Sequence, residues 1–97
     1  MIDRYCFVKL KDEHVSNREA LAQALHAMLD GVDGVAAVTV GVPADDSASR
    51  WDLSLVVRTL DYGRWKDVEQ DEGVREVFEG WLPDHAEVVK AWTFEVE

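Results

Sequence analysis

The histidines are the residues of this sequence that could transfer protons near neutral pH, because imidazole titrates there without help. There are three, His14, His26 and His85. The first falls in a polar stretch, the second beside an apolar helical stripe and the third shortly after a proline, so no two stand at ligand spacing on one element. A zinc site built from histidines would need such spacing. The pattern favours surface or structural roles and predicts no metal site.

Carboxylates are grouped at two places where a hard cation could bind. Glu69, Asp71 and Glu72 form one acidic run, and Asp45 and Asp46 stand together in a polar stretch. Calcium and magnesium prefer oxygen ligands, but a calcium loop carries glycine at a fixed position, and neither group has that frame. We interpret the run 69–72 as a solvated helix junction and the aspartate pair as part of a loop, and a cation at 69–72 stays an open alternative.

Nucleophilic side chains have no visible activating partner. Ser47, Ser49 and Ser54 lack a histidine in a recognisable motif. Cys6 lies in an apolar segment, which predicts a buried small hydrophobe in preference to a reactive thiol, and a single cysteine cannot form an internal disulfide. Phosphate-cradling glycine patterns are absent too. The residue types alone therefore indicate no reaction and no cofactor.

Charge and length narrow the class of protein. The 97 residues include 20 acidic and 10 basic side chains, for a net charge of −10. Such a surface repels phosphate backbones and anionic lipid, so we expect neither nucleic acid nor membrane as a partner. No apolar run reaches the ~20 residues that cross a bilayer, and no signal-like core opens the chain, so we expect a cytoplasmic protein. The length predicts a single domain, 1–97.

Four segments show strand patterning. In the most strand-like, Trp51 to Thr59, period-two alternation puts Trp51, Leu53, Leu55 and Val57 on one apolar face. This run is the predicted central strand. The other predicted strands are 2–10, 35–42 and 88–96. The residues on one face of the strand 35–42, Ala37, Thr39 and Gly41, are small, which would allow another surface to approach closely.

Helical patterning fills the intervals between these strands. Ser16 and Glu19 form a capping-box pattern that predicts the start of the first helix, and Gly31 predicts its end by Asp30. A second helix is predicted over 60–70. Further helical turns are predicted over 71–81, closed by Pro83.

The order strand, helix, strand, strand, helix, strand predicts an α+β fold of the ferredoxin-like type. In this βαββαβ plait, a four-stranded antiparallel sheet carries both helices on one face. The other face would then expose apolar residues from every strand to water. Pairing two such sheets covers this face, so we predict a homodimer with a barrel-like interface, in which most of the four tryptophans are core or interface anchors.

Three stretches also resemble a known family. The opening MIDRYCFVKLKD, the strand WDLSLVVRTLD and the tail GVREVFEGWLPDHAEVVKAWTFEVE are similar to the stress-responsive α/β-barrel (Dabb) domain, whose first strand ends in a K-x-K pattern. The resemblance covers nearly the whole chain and implies a ferredoxin-like protomer in a tight dimer with a barrel between the sheets. Known members include plant stress proteins, bacterial proteins of unknown role and a plant polyketide cyclase.

The resemblance also implies a ligand pocket between sheet and helices, where cyclase-type members use histidines and a tyrosine. In this chain the corresponding positions hold Arg4, Leu53, Lys66 and Glu72, the last in the run that replaces an H-P-x-H motif. Because the acid and base groups are missing, the resemblance does not carry cyclase activity. Arg4 and Lys66 could attract an anionic or carbonyl-bearing small ligand, although pairing of both with nearby carboxylates is the interpretation that we favour.

Two functional hypotheses follow. The first is a dimeric α/β-barrel domain that is structural or binds a small ligand, with a stress-related role. The alternative is a cofactor-independent enzyme, polyketide-cyclase-like or monooxygenase-like, acting on a small aromatic or polyketide-type substrate in the cavity. In the enzyme, Arg4, Lys66 or Glu72 would stand in for the missing groups. A deep pocket that holds one of these side chains would favour binding or catalysis over a structural role.

Overall fold

All four strands join one antiparallel sheet. The computed structural model describes residues 1–97, and its strands are β1 (Ile2–Leu10), β2 (Ala37–Gly41), β3 (Leu53–Thr59) and β4 (Ala86–Glu95). They are arranged in the order β2-β3-β1-β4, with β3 and β1 at the centre. Both central strands carry buried apolar side chains, as inner strands require. The predicted ferredoxin-like fold is confirmed, and each predicted strand boundary lies within two residues of the observed one.

Helical segments connect the strands. The α-helices are α1 (Arg18–Leu29), α2 (Tyr62–Gln70), α3 (Glu72–Glu76) and α4 (Leu82–His85). Two 3-10 helices, Asp12–Asn17 and Asp46–Ala48, lie before α1 and in the loop before β3. A π-helical turn, Val77–Trp81, joins α3 to α4. None of these helices combines the length and the apolar composition that crossing a membrane requires.

The helices cover one face of the sheet. Leu25 and Leu29 of α1 and Trp65 of α2 are buried in one core of 16 residues, together with the inward side chains of β1 and β3. Each fully buried leucine there stabilises the fold by about 2 kcal/mol relative to an exposed one. Cys6 is part of this core, as predicted, and burial raises the pKa of its thiol to about 11. The thiol is therefore protonated and inert at neutral pH.

The opposite face of the sheet has no helix on it. Phe7, Trp92 and Phe94 are 37%, 44% and 53% exposed there, and Tyr5 lies between them on β1. Tyr5 meets Phe94 edge to face, with ring centroids 5.6 Å apart, and Phe7 meets Trp92 in the same way at 5.8 Å. A single protomer therefore presents a cluster of aromatic rings to solvent on this open face.

The predicted capping box at Ser16 does not form. A 3-10 helix occupies Asp12–Asn17, α1 begins only at Arg18, and no side chain caps it. The chain turns at once after β1, with the amide of Lys11 donating to the carbonyl of His85 at 2.9 Å. Ser16 is therefore part of this 3-10 turn, whereas Glu19 lies in the first turn of α1. The sequence motif was right about a helix nearby and wrong about its first residue.

The prediction that Trp51 lies with Leu53 on the buried face is also wrong. β3 begins at Leu53, and the Trp51 ring lies 5.8 Å from that of Phe7 on the open face. Asp52 explains the difference, because its carboxylate accepts the backbone N–H of Leu10 at 2.8 Å and holds the chain in a bend before the strand. The period-two pattern therefore stops one residue short of Trp51.

Pro83 does not close the helical region as predicted. It lies in the first turn of α4, where a missing N–H costs nothing, and the helix continues to His85. The preceding π-turn makes this possible. There the N–H of Leu82 donates to the carbonyl of Val77, five residues back, so the backbone is already out of the α-helical pattern when the proline arrives.

Candidate functional site

A cavity of about 170 Å³ lies between β1 and the helical segment that runs from α2 to the π-turn. Its lining combines three apolar side chains with four charged ones, and these residues are Trp65, Val74, Phe78, Arg4, Glu69, Arg75 and Glu79. An apolar wall with a few converging polar groups is the composition of a small-molecule site. The chemistry of the cavity therefore depends on which of its charges are already neutralised.

Two helix caps hold the apolar wall in place. Asp61 precedes α2, and its carboxylate accepts the N–H of Arg64 at 2.8 Å, which fixes the first turn and turns Trp65 toward the sheet. Asp71 does the same for α3, accepting the N–H of Val74 at 3.1 Å. Because the two helices are nearly continuous in sequence, both caps together set the shape of this wall.

Arg4 reaches the cavity from the sheet. On β1 it shares the helix-facing side with Ile2 and Cys6, and its side chain is half-buried. Its Nη1 donates to the hydroxyl of Thr93 on β4 at 2.8 Å, and its guanidinium carbon lies 5.6 Å from the centre of the Trp65 ring. No carboxylate oxygen lies within 4.0 Å of its guanidinium nitrogens. Its charge is thus met only by a neutral hydroxyl and an aromatic face.

The other charges of the cavity are paired. Arg75 donates from two nitrogens to the carboxylate of Glu79, each at 3.3 Å. Glu69 accepts from Lys66 Nζ at 2.6 Å, and this hydrogen bond raises the pKa of Lys66. Arg4 is therefore the cation in the cavity wall that has no carboxylate partner, and a charge-assisted hydrogen bond from it to an anion would be stronger than a neutral one.

The predicted pocket residues fall in different places. Arg4 lines the cavity, whereas Leu53 is 1% exposed in the core and Lys66 lies outside the lining on α2. Glu72 is the exposed first residue of α3. The expectation that Arg4 and Lys66 both pair with carboxylates is right for Lys66 and wrong for Arg4, because no acidic side chain reaches the strand from the helices.

The remaining candidate groups form no second site of this kind. His14 and His85, distant in sequence, lie side by side with tilted rings whose centroids are 4.8 Å apart, and His85 Nδ1 is 2.7 Å from the carbonyl oxygen of Trp81. The structure has no group of three or more His, Cys, Asp or Glu side chains placed to hold a metal ion. In the acidic run, Glu69 is ion-paired and Asp71 is a helix cap.

The apolar lining was not predicted as a site from sequence. Trp65 belongs to the predicted helix 60–70, and Val74 and Phe78 belong to the apolar stripe of the helical turns over 71–81. Helical spacing of this kind indicates buried stripes without distinguishing core from cavity wall. The contact between Arg4 and Trp65 joins segments far apart in the chain. No local pattern could have found it.

Comparison with solved structures places the fold among dimeric ferredoxin-like proteins. A dimeric ferredoxin-like protein of unknown function from Thermobifida fusca superimposes with a TM-score of 0.79 at 11% identity, covering 98% of this chain and 90% of that one. Another from Jannaschia sp. CCS1 gives 0.77 at 13% identity, covering 98% of each. An antibiotic biosynthesis monooxygenase gives 0.74 at 11% identity, covering 100% of this chain and 99% of that one.

No protein-family model and no curated protein matches the chain. At these levels of identity the similarity concerns the fold alone. The function must therefore be argued from the cavity and the open face of the sheet.

Proposed function

We propose that this protein is a homodimer that binds a small anionic molecule in the cavity between sheet and helices of each protomer. The observation that supports binding is the state of Arg4, which is half-buried beside an apolar wall with no carboxylate partner. A cation in that position loses hydration and gains only Thr93 and the Trp65 ring in return. An anionic ligand would supply the missing partner.

The size of the cavity suggests the rest of the ligand. A volume of about 170 Å³ is close to the ~150 Å³ of an apolar cavity that holds benzene. The wall opposite Arg4 consists of Trp65, Val74 and Phe78, which suit a flat apolar body. A single-ring aromatic carboxylate therefore combines the charge that Arg4 requires with the shape that the wall accepts.

Binding is better supported than catalysis. A proton-transfer enzyme needs a free acid or base within reach of its substrate, and the two carboxylates that line the cavity, Glu69 and Glu79, are each held in an ion pair. The cofactor-independent enzyme is therefore kept only as an alternative. Membership of the stress-responsive α/β-barrel family, a stress-related role and a cytoplasmic location stay predictions.

The homodimer is supported by the aromatic rings on the open face. Four large aromatic side chains stand together there, a patch of the kind that marks an interaction surface. Solved proteins of this fold described as dimeric come from Thermobifida fusca and Jannaschia sp. CCS1. A second copy of the same face is the partner that every protomer has available.

Thermal unfolding with matched ligands tests the binding proposal. We expect benzoate to raise the Tm of the native protein and of Arg64→Gln, an exposed arginine on α2 outside the cavity lining, and to leave the Tm of Arg4→Gln unchanged. At about 100 times its Kd, a ligand adds ~2.7 kcal/mol, or roughly 10 °C or more for a domain of this size. Benzamide, which has the same ring without the charge, should shift the Tm much less.

Two results would contradict this proposal. If benzoate stabilises Arg4→Gln as much as the native protein, the ligand binds elsewhere. Acetate and pyruvate are smaller carboxylates that serve as further probes of the cavity. If neither they nor benzoate shifts the native Tm, the cavity is not an anion site.

A further inference from the structure

The open face of the sheet is stepped, with bulky side chains on one half and small ones on the other. The outward residues of β1 and β4 include four exposed or half-exposed rings, Tyr5, Phe7, Trp92 and Phe94. A fifth ring, that of Trp51 before β3, lies 5.8 Å from the Phe7 ring on the same face. The outward residues of the other edge strand, β2, are Ala37, Thr39 and Gly41. We call these the aromatic half and the small-residue half.

The strand register arranges the two halves in rows across the sheet. The first row, from β2 to β4, consists of Ala37, Arg58, Asp3 and Phe94. The middle row consists of Thr39, Val56, Tyr5 and Trp92. Both of these rows therefore begin with a small side chain at one edge of the sheet and end with a large ring at the other. The third row, Gly41, Ser54, Phe7 and Lys90, has its ring on β1 and ends with a lysine.

Two symmetric ways exist to stack this face on a second copy. A two-fold axis that lies between the sheets and runs along the strands reverses each row, so that Trp92 faces the partner's Thr39 and Phe94 faces the partner's Ala37. An axis that runs across the strands instead puts each edge strand over its own copy, so that Trp92 faces the partner's Trp92 and Thr39 faces the partner's Thr39. The first arrangement places a ring over Ala37 and another over Thr39. The second piles rings on rings and leaves a gap over the small residues.

We propose that the homodimer forms about an axis along the strands, with the aromatic half of each protomer packed on the small-residue half of its partner. This inference rests on the homodimer of the proposed function and specifies its interface. The packing keeps the two sheets at an even separation of about 10 Å, as in aligned sheet sandwiches.

Charge complementarity selects the same arrangement. Asp3 and Arg58 are neighbours in the first row and form a two-pronged ion pair at 2.7 and 2.8 Å. Reversing the row places the Arg58 of one protomer opposite the partner's Asp3, so two ion pairs meet as a four-membered ring of alternating charge. In the other arrangement Asp3 would face the partner's Phe7, and its pair would be buried against a ring with no charged neighbour.

The area of the face agrees with a stable dimer. Four strands at ~4.8 Å spacing and about seven residues at ~3.4 Å give a plane of about 450 Å² per protomer. The rings that stand on this plane add accessible area to it, and a standard interface buries ~800 Å² per partner. The face is thus of the order of size that a second copy would cover.

Cross-linking of co-expressed cysteine variants tests the arrangement. Ala37→Cys and Phe94→Cys, carrying different tags, are treated with a bis-maleimide whose reach matches the ~10 Å between packed sheets. We expect a covalent heterodimer from the pair. Neither variant alone should cross-link, because equivalent positions lie three strands, or about 14 Å, further apart along the face. The native Cys6 is 1% exposed and does not react.

Thr39→Cys by itself distinguishes the two axes. In the proposed dimer, the two copies of this residue lie at opposite edges and do not cross-link. Efficient self-linking of Thr39→Cys would establish the axis across the strands and overturn the inference, as would a dimer in which Ala37→Cys and Phe94→Cys fail to link. If Phe94→Cys does not dimerise, Trp92→Cys on the same strand replaces it and is paired with Thr39→Cys, which it faces in the proposed arrangement.

Light scattering of the native protein tests the homodimer separately from the proposed arrangement of its interface. A native monomer would remove the homodimer and the arrangement together. A native dimer with the wrong cross-links would remove the arrangement alone.

Discussion

Asp3 is a buried carboxylate on the face of the sheet that no helix covers. It is 2% exposed, accepts hydrogen bonds from Nε and Nη2 of Arg58, and lies 3.4 Å from the Tyr5 hydroxyl. These bonds, chiefly those from Arg58, hold the pKa of Asp3 below its ordinary value. Because Arg58 neutralises its charge, the carboxylate of Asp3 is tolerated in the middle of an aromatic surface.

This carboxylate predicts a distinct response to acid. Because the pKa of Asp3 is lower in the folded state, its stabilising contribution is complete above the unfolded pKa of about 3.9 and is lost as the pH falls through the folded pKa. We expect the free energy of unfolding of the native protein, measured in urea, to exceed that of Asp3→Asn at pH 7. The difference should shrink steadily below about pH 4.

Asp12→Asn is the matched control, since Asp12 is exposed in the 3-10 helix before α1. Its pH profile should follow that of the native protein. Parallel profiles for the native protein and Asp3→Asn across this range would show that the ion pair contributes no pH-dependent stability.

At the scale of the elements, the caps of the two main helices differ. The carboxylate of Asp61 accepts a backbone N–H in the first turn of α2, whereas α1 begins at Arg18 without any side-chain cap. The first turn of α2 leads directly to Trp65, which belongs to the apolar wall of the cavity and contacts Arg4. The cap is therefore part of what gives the cavity its shape.

A pair of alanine variants tests this difference. We expect Asp61→Ala to lower the free energy of unfolding by about 1 kcal/mol, because the N–H of Arg64 loses its acceptor. Ser16→Ala should change it by less than about 0.5 kcal/mol, since Ser16 is exposed and caps nothing. Urea unfolding at neutral pH measures both. Equal losses from the two variants would mean that the capping box at Ser16 forms after all.

At the scale of the whole molecule, the two faces of the sheet are covered unequally. The helices bury one side of the sheet in a core of 16 residues, and the other side keeps its aromatic rings at the surface. A chain of 97 residues gains limited stability from one small core. Burying the second face against another protomer would add to it.

A charge placed on the open face tests this account. We expect Phe94→Asp to convert the proposed dimer to a monomer at micromolar concentration, because an unpaired carboxylate beside Asp3 would be buried in the proposed interface. Tyr62→Asp is the control, since Tyr62 is equally exposed but lies at the start of α2 on the other side of the sheet. Light scattering measures the mass, and circular dichroism checks the fold. Dissociation of both variants, or of neither, would place the interface elsewhere.

Much of the fold could be read from local periodicity. The alternation of Leu53, Leu55 and Val57 predicted a strand with one apolar face, and these three side chains are buried, because successive side chains on a strand point to opposite sides. The order of strands and helices then restricted the topology to the plait that the structure has. The pairing of Lys66 with an acidic residue was equally accessible, since Glu69 is three residues away on the same helix.

Only the tertiary structure decided which distant residues meet. Arg4 came to lie over Trp65, and Asp3 beside Arg58, through the strand register and the packing of α2 on the sheet, neither of which leaves a mark in any short window of sequence. A contact between distant parts of the sequence also explains the wrong prediction for Trp51. The backbone N–H of Leu10 donates to Asp52, and this hydrogen bond ends an alternating pattern that looked continuous in the sequence. Periodicity depends on backbone geometry and is local, whereas ion pairs, stacked rings and cavities depend on where separate segments are brought together.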